Sequence, residues 1–137
     1  MFTNILQSFS RLLDKKWSRY HRFTLLVAVT TIFYLATTSV DYKVQSSFND
    51  KFNHLFAFGS LSFLSHIAFQ TFQPIRWATA LLGYGALIEC VQFFLPYRSF
   101  SLLDLAADLT GIVLYIIVFY PLFNRLLSSP ASYYAKS

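Results

Sequence analysis

Eight residues in this sequence have side chains suited to chemistry and recur at spacings that group them: Asp50, Lys51 and His54; Glu89 and Gln92; Arg98; and Asp104 and Asp108. Helical positions three or four apart share a face, so Asp50 pairs with His54, Glu89 with Gln92, and Asp104 with Asp108. A carboxylate beside an imidazole is the raw material of general acid–base catalysis. Lysine and arginine hold phosphate or carboxylate, the first as a point charge and the second as a two-pronged fork. A histidine among several carboxylates could also hold a divalent metal. Were the chain an enzyme, His54, Glu89, Arg98 and Asp104 would be its catalytic set. No nucleophile motif and no zinc-protease spacing accompanies them, so the sequence identifies no metal site and no cofactor. Cys90 is the only cysteine, which excludes an intramolecular disulfide and a cysteine-built metal centre.

The elements that must position these groups are apolar. Hydrophobic residues make up 55% of the chain and charged residues only 12%, too few to cover a soluble surface. The first uncharged run, Phe23 to about Val40, is eighteen residues long. At about 1.5 Å per residue it reaches roughly 27 Å, close to the thickness of a hydrocarbon core. Long basic sequence precedes it and no small-x-small cleavage site follows, so it is expected to be a retained anchor. Further spans are expected over Phe52–Gln70, Ile75–Leu95 and Leu102–Phe123. Gln73-Pro74 and Pro96-Tyr97-Arg98-Ser99 separate them, and such short connections require antiparallel neighbours. The expected fold is an all-α, four-helix transmembrane bundle.

Before it, Phe2, Leu6, Phe9, Leu13, Trp17 and Tyr20 recur at the period of one helix face, with Arg11, Lys15 and Arg19 between them. That pattern predicts an N-terminal amphipathic helix, lying in the cytoplasmic interface or packed on the ends of the spans. The organisation is therefore a cytoplasmic amphipathic helix over 1–22, a four-span membrane domain over 23–123 and a cytoplasmic tail over 124–137, small, polar and expected to be disordered. With the N-terminus inside, eight Lys and Arg lie on the inner side and three (Lys43, Lys51, Arg98) on the outer, which favours both ends in the cytoplasm. The net charge of +5 is concentrated before the first span and carries no recognition motif, so nucleic acid is not an expected partner.

In this arrangement all eight residues fall in the outer third of the membrane or just above it. Asp50 to His54 and Asp104 to Asp108 each rise about 6 Å, and Glu89 lies about 10 Å below the outer turn. A carboxylate facing lipid costs roughly 2.5–3.5 kcal/mol, so Glu89 and Asp108 should face inward and find partners among Arg98, Lys51 and His54. The economical solution is one outward-facing polar pocket. The competing reading is a structural lock: Glu89 and Arg98 clamping helix ends, and Asp104 as a first-turn acid behind an N-cap at Ser101. His21 and His66 are assigned to interface and packing.

The same residues carry a family pattern. Asp50-Lys51-x-x-His54, then Glu89-x-x-Gln92 followed by Leu-Pro-Tyr-Arg98, then Ser-Leu-Leu-Asp104-x-x-x-Asp108-x-x-Gly111, resembles the VanZ-like family of small bacterial membrane proteins. The resemblance spans Asp50 to about Gly111. It departs at Asp108, where the family usually has asparagine, and at Tyr97, where glycine is common. It implies a multi-pass protein of the bacterial cell membrane; some members confer resistance to the glycopeptide teicoplanin.

Two functions follow as expectations. In the first, Asp50, Lys51, His54, Glu89, Gln92, Arg98, Asp104 and Asp108 bind an amphiphile at the outer leaflet, with a lipid-linked envelope precursor or a lipophilic glycopeptide as candidate ligands and membrane lipids as surroundings. In the second, the same layer is an active site acting on a lipid head group or a lipid-linked wall precursor.

Overall fold

The apolar stretches become helices in the computed structural model, which describes residues 17–39 and 47–127. Helix α1 is Ser18–Thr37, α2 Ser47–Ala68, α3 Pro74–Phe93 and α4 Leu102–Leu114. After α4 the chain continues through a single π-helical turn, Tyr115–Phe119, into α5, Tyr120–Leu127. No strand occurs among the described residues. The expected interfacial helix lies outside them as far as residue 16. From Ser18 its last residues are continuous with the first apolar helix. The tail beyond residue 127 also lies outside the described residues.

Local sequence explains most boundaries. Pro74 opens α3 at a position where the missing N–H has no intrahelical partner to lose. Ser101 caps α4, its hydroxyl accepting the Asp104 N–H at 3.3 Å. The π turn has its cause in Pro121. Proline cannot donate to the carbonyl four residues back and its ring crowds that carbonyl, so the turn before it widens. The Tyr120 N–H accordingly reaches Tyr115 O. In α1, Thr24, Thr30 and Thr37 donate to carbonyls four residues back, which satisfies hydroxyls on an otherwise apolar helix.

Residue pairs fix the direction of each helix. Lys51 meets Asp104, His54 meets Asp108 and His66 meets Tyr115, so α2 runs parallel to α4 and its continuation. Tyr84 bonds Val29 O and Gln92 bonds Ala36 O, so α3 runs parallel to α1. Arg22 reaches Ala68 O, placing the start of α1 at the end of α2. The order is up, down, up, down. The most extensive packing is between α2 and α4. Glycine permits it: a Cβ on Gly111 would collide with Leu55 O and stand 3.0 Å from Gly59 N.

The core holds Phe58, Leu61, Trp77, Leu81, Ile88 and Ile112. Beside them, Ser62, Ser65, His66, Glu89, Gln92, Asp104 and Asp108 are buried. Large apolar side chains instead cover the outside, among them Phe23, Phe56, Leu87, Leu103, Ile117 and Phe119. By length and composition one helix among the described residues, Leu102–Arg125, is long and apolar enough to cross a membrane. The other helices carry charged or ionisable residues inside or beside the expected spans: Arg19 and Arg22 in α1, Asp50, Lys51 and His54 in α2, Arg76 and Glu89 in α3.

Candidate functional site

The first turns of α2 and α4 and the last turns of α3 lie at one end of this arrangement. Antiparallel α3 brings its C-terminal Glu89 and Gln92 beside the N-terminal acids of α4. Parallel α2 brings Asp50, Lys51 and His54 to the same level. All eight residues singled out by their spacing are found at this end.

Their connections are specific. Asp108 Oδ1 lies 2.9 Å from His54 Nδ1. Lys51 Nζ lies 3.3 Å from Asp104 Oδ1, close enough for an ion pair although not aligned for a hydrogen bond. Glu89 Oε2 accepts the backbone N–H of Ser101 at 2.7 Å. Arg98, Lys51 and His54 are the cations expected beside Glu89, and none of them makes this hydrogen bond. Its partner is the amide of a helix N-cap, and the N-terminal end of a helix favours negative charge as a cation would. Gln92 donates to Ala36 O at 2.9 Å, tying the α3 end to the α1 end.

Burial sharpens the picture. Glu89 and Asp108 are 0% exposed, Gln92 4% and Asp104 6%. One oxygen on each of the three buried acids (Glu89 Oε1, Asp104 Oδ1 and Asp108 Oδ2) makes no hydrogen bond. Buried polar atoms are nearly always satisfied, which sets these three oxygens, gathered in one layer, apart from the rest of the interior. Space for Asp108 comes from Gly85, where a Cβ would stand 2.6 Å from Asp108 Oδ2.

Two cavities meet at this layer. One, of about 420 Å³, is polar: Asp50, Gln92, Tyr97, Arg98, Ser99 and Asp104 are on its wall. The other, of about 470 Å³, is largely apolar and runs between α1 and α2 past Ile32, Leu35, Phe56 and Phe58. Asp50, Gln92 and Arg98 line both. Sequence reading missed the apolar half because nothing in the composition of α1 distinguishes a cavity wall from a lipid-facing or core-facing stripe. It also missed Asn53, which lines the apolar cavity beside His54 and was open to notice as a polar residue on the same turn. Ser101 was read only as a cap, and Gly85 carried no chemical signal.

Farther along the molecule, His66 Nδ1 lies 2.8 Å from Tyr115 OH among Phe63, Tyr120 and Phe123. That is the packing role assigned to His66 from sequence.

A protein-family model described as VanZ/LLP1 matches residues 1–124. No curated protein and no solved structure matches the chain.

Proposed function

The chain belongs to the VanZ/LLP1 family, and from that premise we propose that it is a multi-pass protein of the bacterial cell membrane, with both ends cytoplasmic, that binds an amphiphilic or lipid-linked envelope compound at its outward-facing polar layer. The inverted surface supports the membrane part of the reading. Monomeric soluble proteins rarely expose large continuous apolar patches, whereas here apolar side chains face out on every helix and acids face in. Eight basic residues on the N-terminal side against three on the other support the orientation.

One observation carries the binding proposal: a polar and an apolar cavity share Asp50, Gln92 and Arg98. Such a space accommodates a molecule that is half head group and half chain. Arg98 offers the fork that recognises phosphate or carboxylate, while Gln92 and Asp50 offer hydrogen-bonding partners for sugar or amine groups. The wall of Ile32, Leu35 and Phe56 takes the apolar part. The test is saturable binding of a lipid-linked wall precursor to the protein in nanodiscs, read by native mass spectrometry. Arg98→Ala should weaken binding at least tenfold, the scale of a lost charged hydrogen bond. Equal binding by wild type and variant contradicts the assignment.

A second reading is favoured by the His54–Asp108 pair, in which a buried carboxylate orients an imidazole as in an acid–base dyad. Here the layer acts on the head group, His54 moving a proton and Arg98 stabilising charge. Conversion of the bound precursor to product, abolished by His54→Ala, supports this reading; recovery of unchanged ligand rejects it.

A further inference from the structure

We propose that Asp50, His54 and Asp104 bind one divalent first-row metal ion, Zn²⁺ or Mn²⁺, where the two cavities join. The three side chains each offer a ligand atom, and these atoms lie within 4.8 Å of one another. Ligand atoms at about 2.1 Å around a tetrahedral ion stand about 3.4 Å from one another, so closing on an ion requires the side chains to draw together by up to about 1.4 Å. Asp50 lines both cavities, Asp104 the polar one and His54 the apolar one, which places the ion at their junction.

Three independent features point to a cation there. Asp104 is 6% exposed, lies on the cavity wall, and its Oδ1 makes no hydrogen bond, with only the Lys51 ammonium 3.3 Å away to offset its charge. His54 is oriented through Nδ1 by the buried Asp108 carboxylate, so Nε2 is the nitrogen it would offer to an ion. A carboxylate behind a ligating histidine is the usual means of fixing ring orientation and raising ligand basicity. Asp108 is thus a positioning residue for the site. The layer also holds more acids than fixed cations: four carboxyl groups (Asp50, Glu89, Asp104, Asp108) against Lys51 and Arg98. A bound cation would offset the cost of keeping the surplus carboxylates ionised away from water. One nitrogen and two carboxylate oxygens suit Zn²⁺ or Mn²⁺ better than Ca²⁺, which takes an all-oxygen shell. Three protein ligands leave coordination positions for water or for an oxygen of a phosphate or carboxylate group. Lys51, whose ammonium lies 3.3 Å from Asp104 Oδ1, is the competing cation.

The test needs no lipid ligand and so stands or falls separately from the binding proposal above. The full chain, purified in detergent and stripped with chelator, is titrated with Zn²⁺ by calorimetry and with Mn²⁺ by electron paramagnetic resonance. One ion per chain is expected. Asp50→Asn and His54→Gln should each weaken binding at least tenfold, and Asp108→Asn about 10–100-fold without being a ligand. Lys51→Met should strengthen binding, since it removes the competing charge; a mere ion-pair cluster offers no reason for that gain. Circular dichroism and size exclusion identify folded variants. Asp50 is only half-buried, so Asp50→Asn keeps the test usable if a deeper variant does not fold. Absence of saturable binding overturns the proposal, as does unchanged binding in Asp50→Asn or weaker binding in Lys51→Met.

Discussion

The three buried acids among the described residues are individually held, and each in a different way. Asp108 is matched by an imidazole, Asp104 by an ammonium, and Glu89 by a backbone amide. Spacing made the convergence legible: carboxylates at helical intervals on apolar segments have few places to go. Spacing could not reveal the partner of Glu89, because a main-chain N–H has no signature in a sequence. Glu89→Gln keeps the shape but removes the charge that the Ser101 amide and the α4 terminus meet. It should lower stability by about 1–2 kcal/mol, read as thermal unfolding in detergent, and impair ligand binding far more than Lys136→Ala. Equal, negligible effects of both would remove the basis for a site. Gly85 belongs to the same scale. Its hydrogen leaves room for Asp108, so Gly85→Ala should displace that carboxylate and weaken the His54 contact.

At the scale of the helices, the contact that sets the site is α2 against α4. It holds Lys51 and His54 opposite Asp104 and Asp108, and Gly111 lets the backbones approach. Gly111→Ala should therefore destabilise by about 1–3 kcal/mol, the usual cost of overpacking. Gly83→Ala is the contrasting case: nothing lies within 4 Å of its added Cβ, and helix propensity should gain up to about 1 kcal/mol. Denaturant titration of the two variants separates them, and similar losses in both would mean that the close approach is not what Gly111 provides. Helix positions followed from apolar runs and from Pro74, Gln73 and Ser101. The widened turn at Tyr115–Phe119 did not, although Pro121 was its signal; hydropathy continues unbroken across it and hid the interruption. The first helix was placed from Phe23, yet it begins at Ser18, because Arg19 and Arg22 break the apolar run without breaking the helix.

The whole molecule reverses the usual distribution of polarity. Soluble proteins hide apolar surface; this one hides Glu89, Asp104 and Asp108 and displays phenylalanine and leucine. Composition made that legible, since 12% charged residues cannot clothe a soluble domain. The depth and facing of each helix were not legible, because among the described residues hydropathy alone qualifies only Leu102–Arg125 as a span and leaves the remaining helices carrying charge at their ends. Of those residues, Asp50, Lys51, His54 and Glu89 lie at the end where the cavities meet and are proposed to serve the ligand, whereas Arg19, Arg22 and Arg76 lie toward the opposite end. That proposal requires the cavity to open to the exterior.

Accessibility of an engineered thiol tests this requirement most directly. In a Cys90→Ser background, Ser99→Cys places a single thiol on the wall of the polar cavity. Labelling of intact cells by a membrane-impermeant maleimide, slowed when a lipid-linked precursor is bound, is the expected result. Labelling that appears only after the cells are permeabilised would put the cavity on the cytoplasmic side and contradict the account.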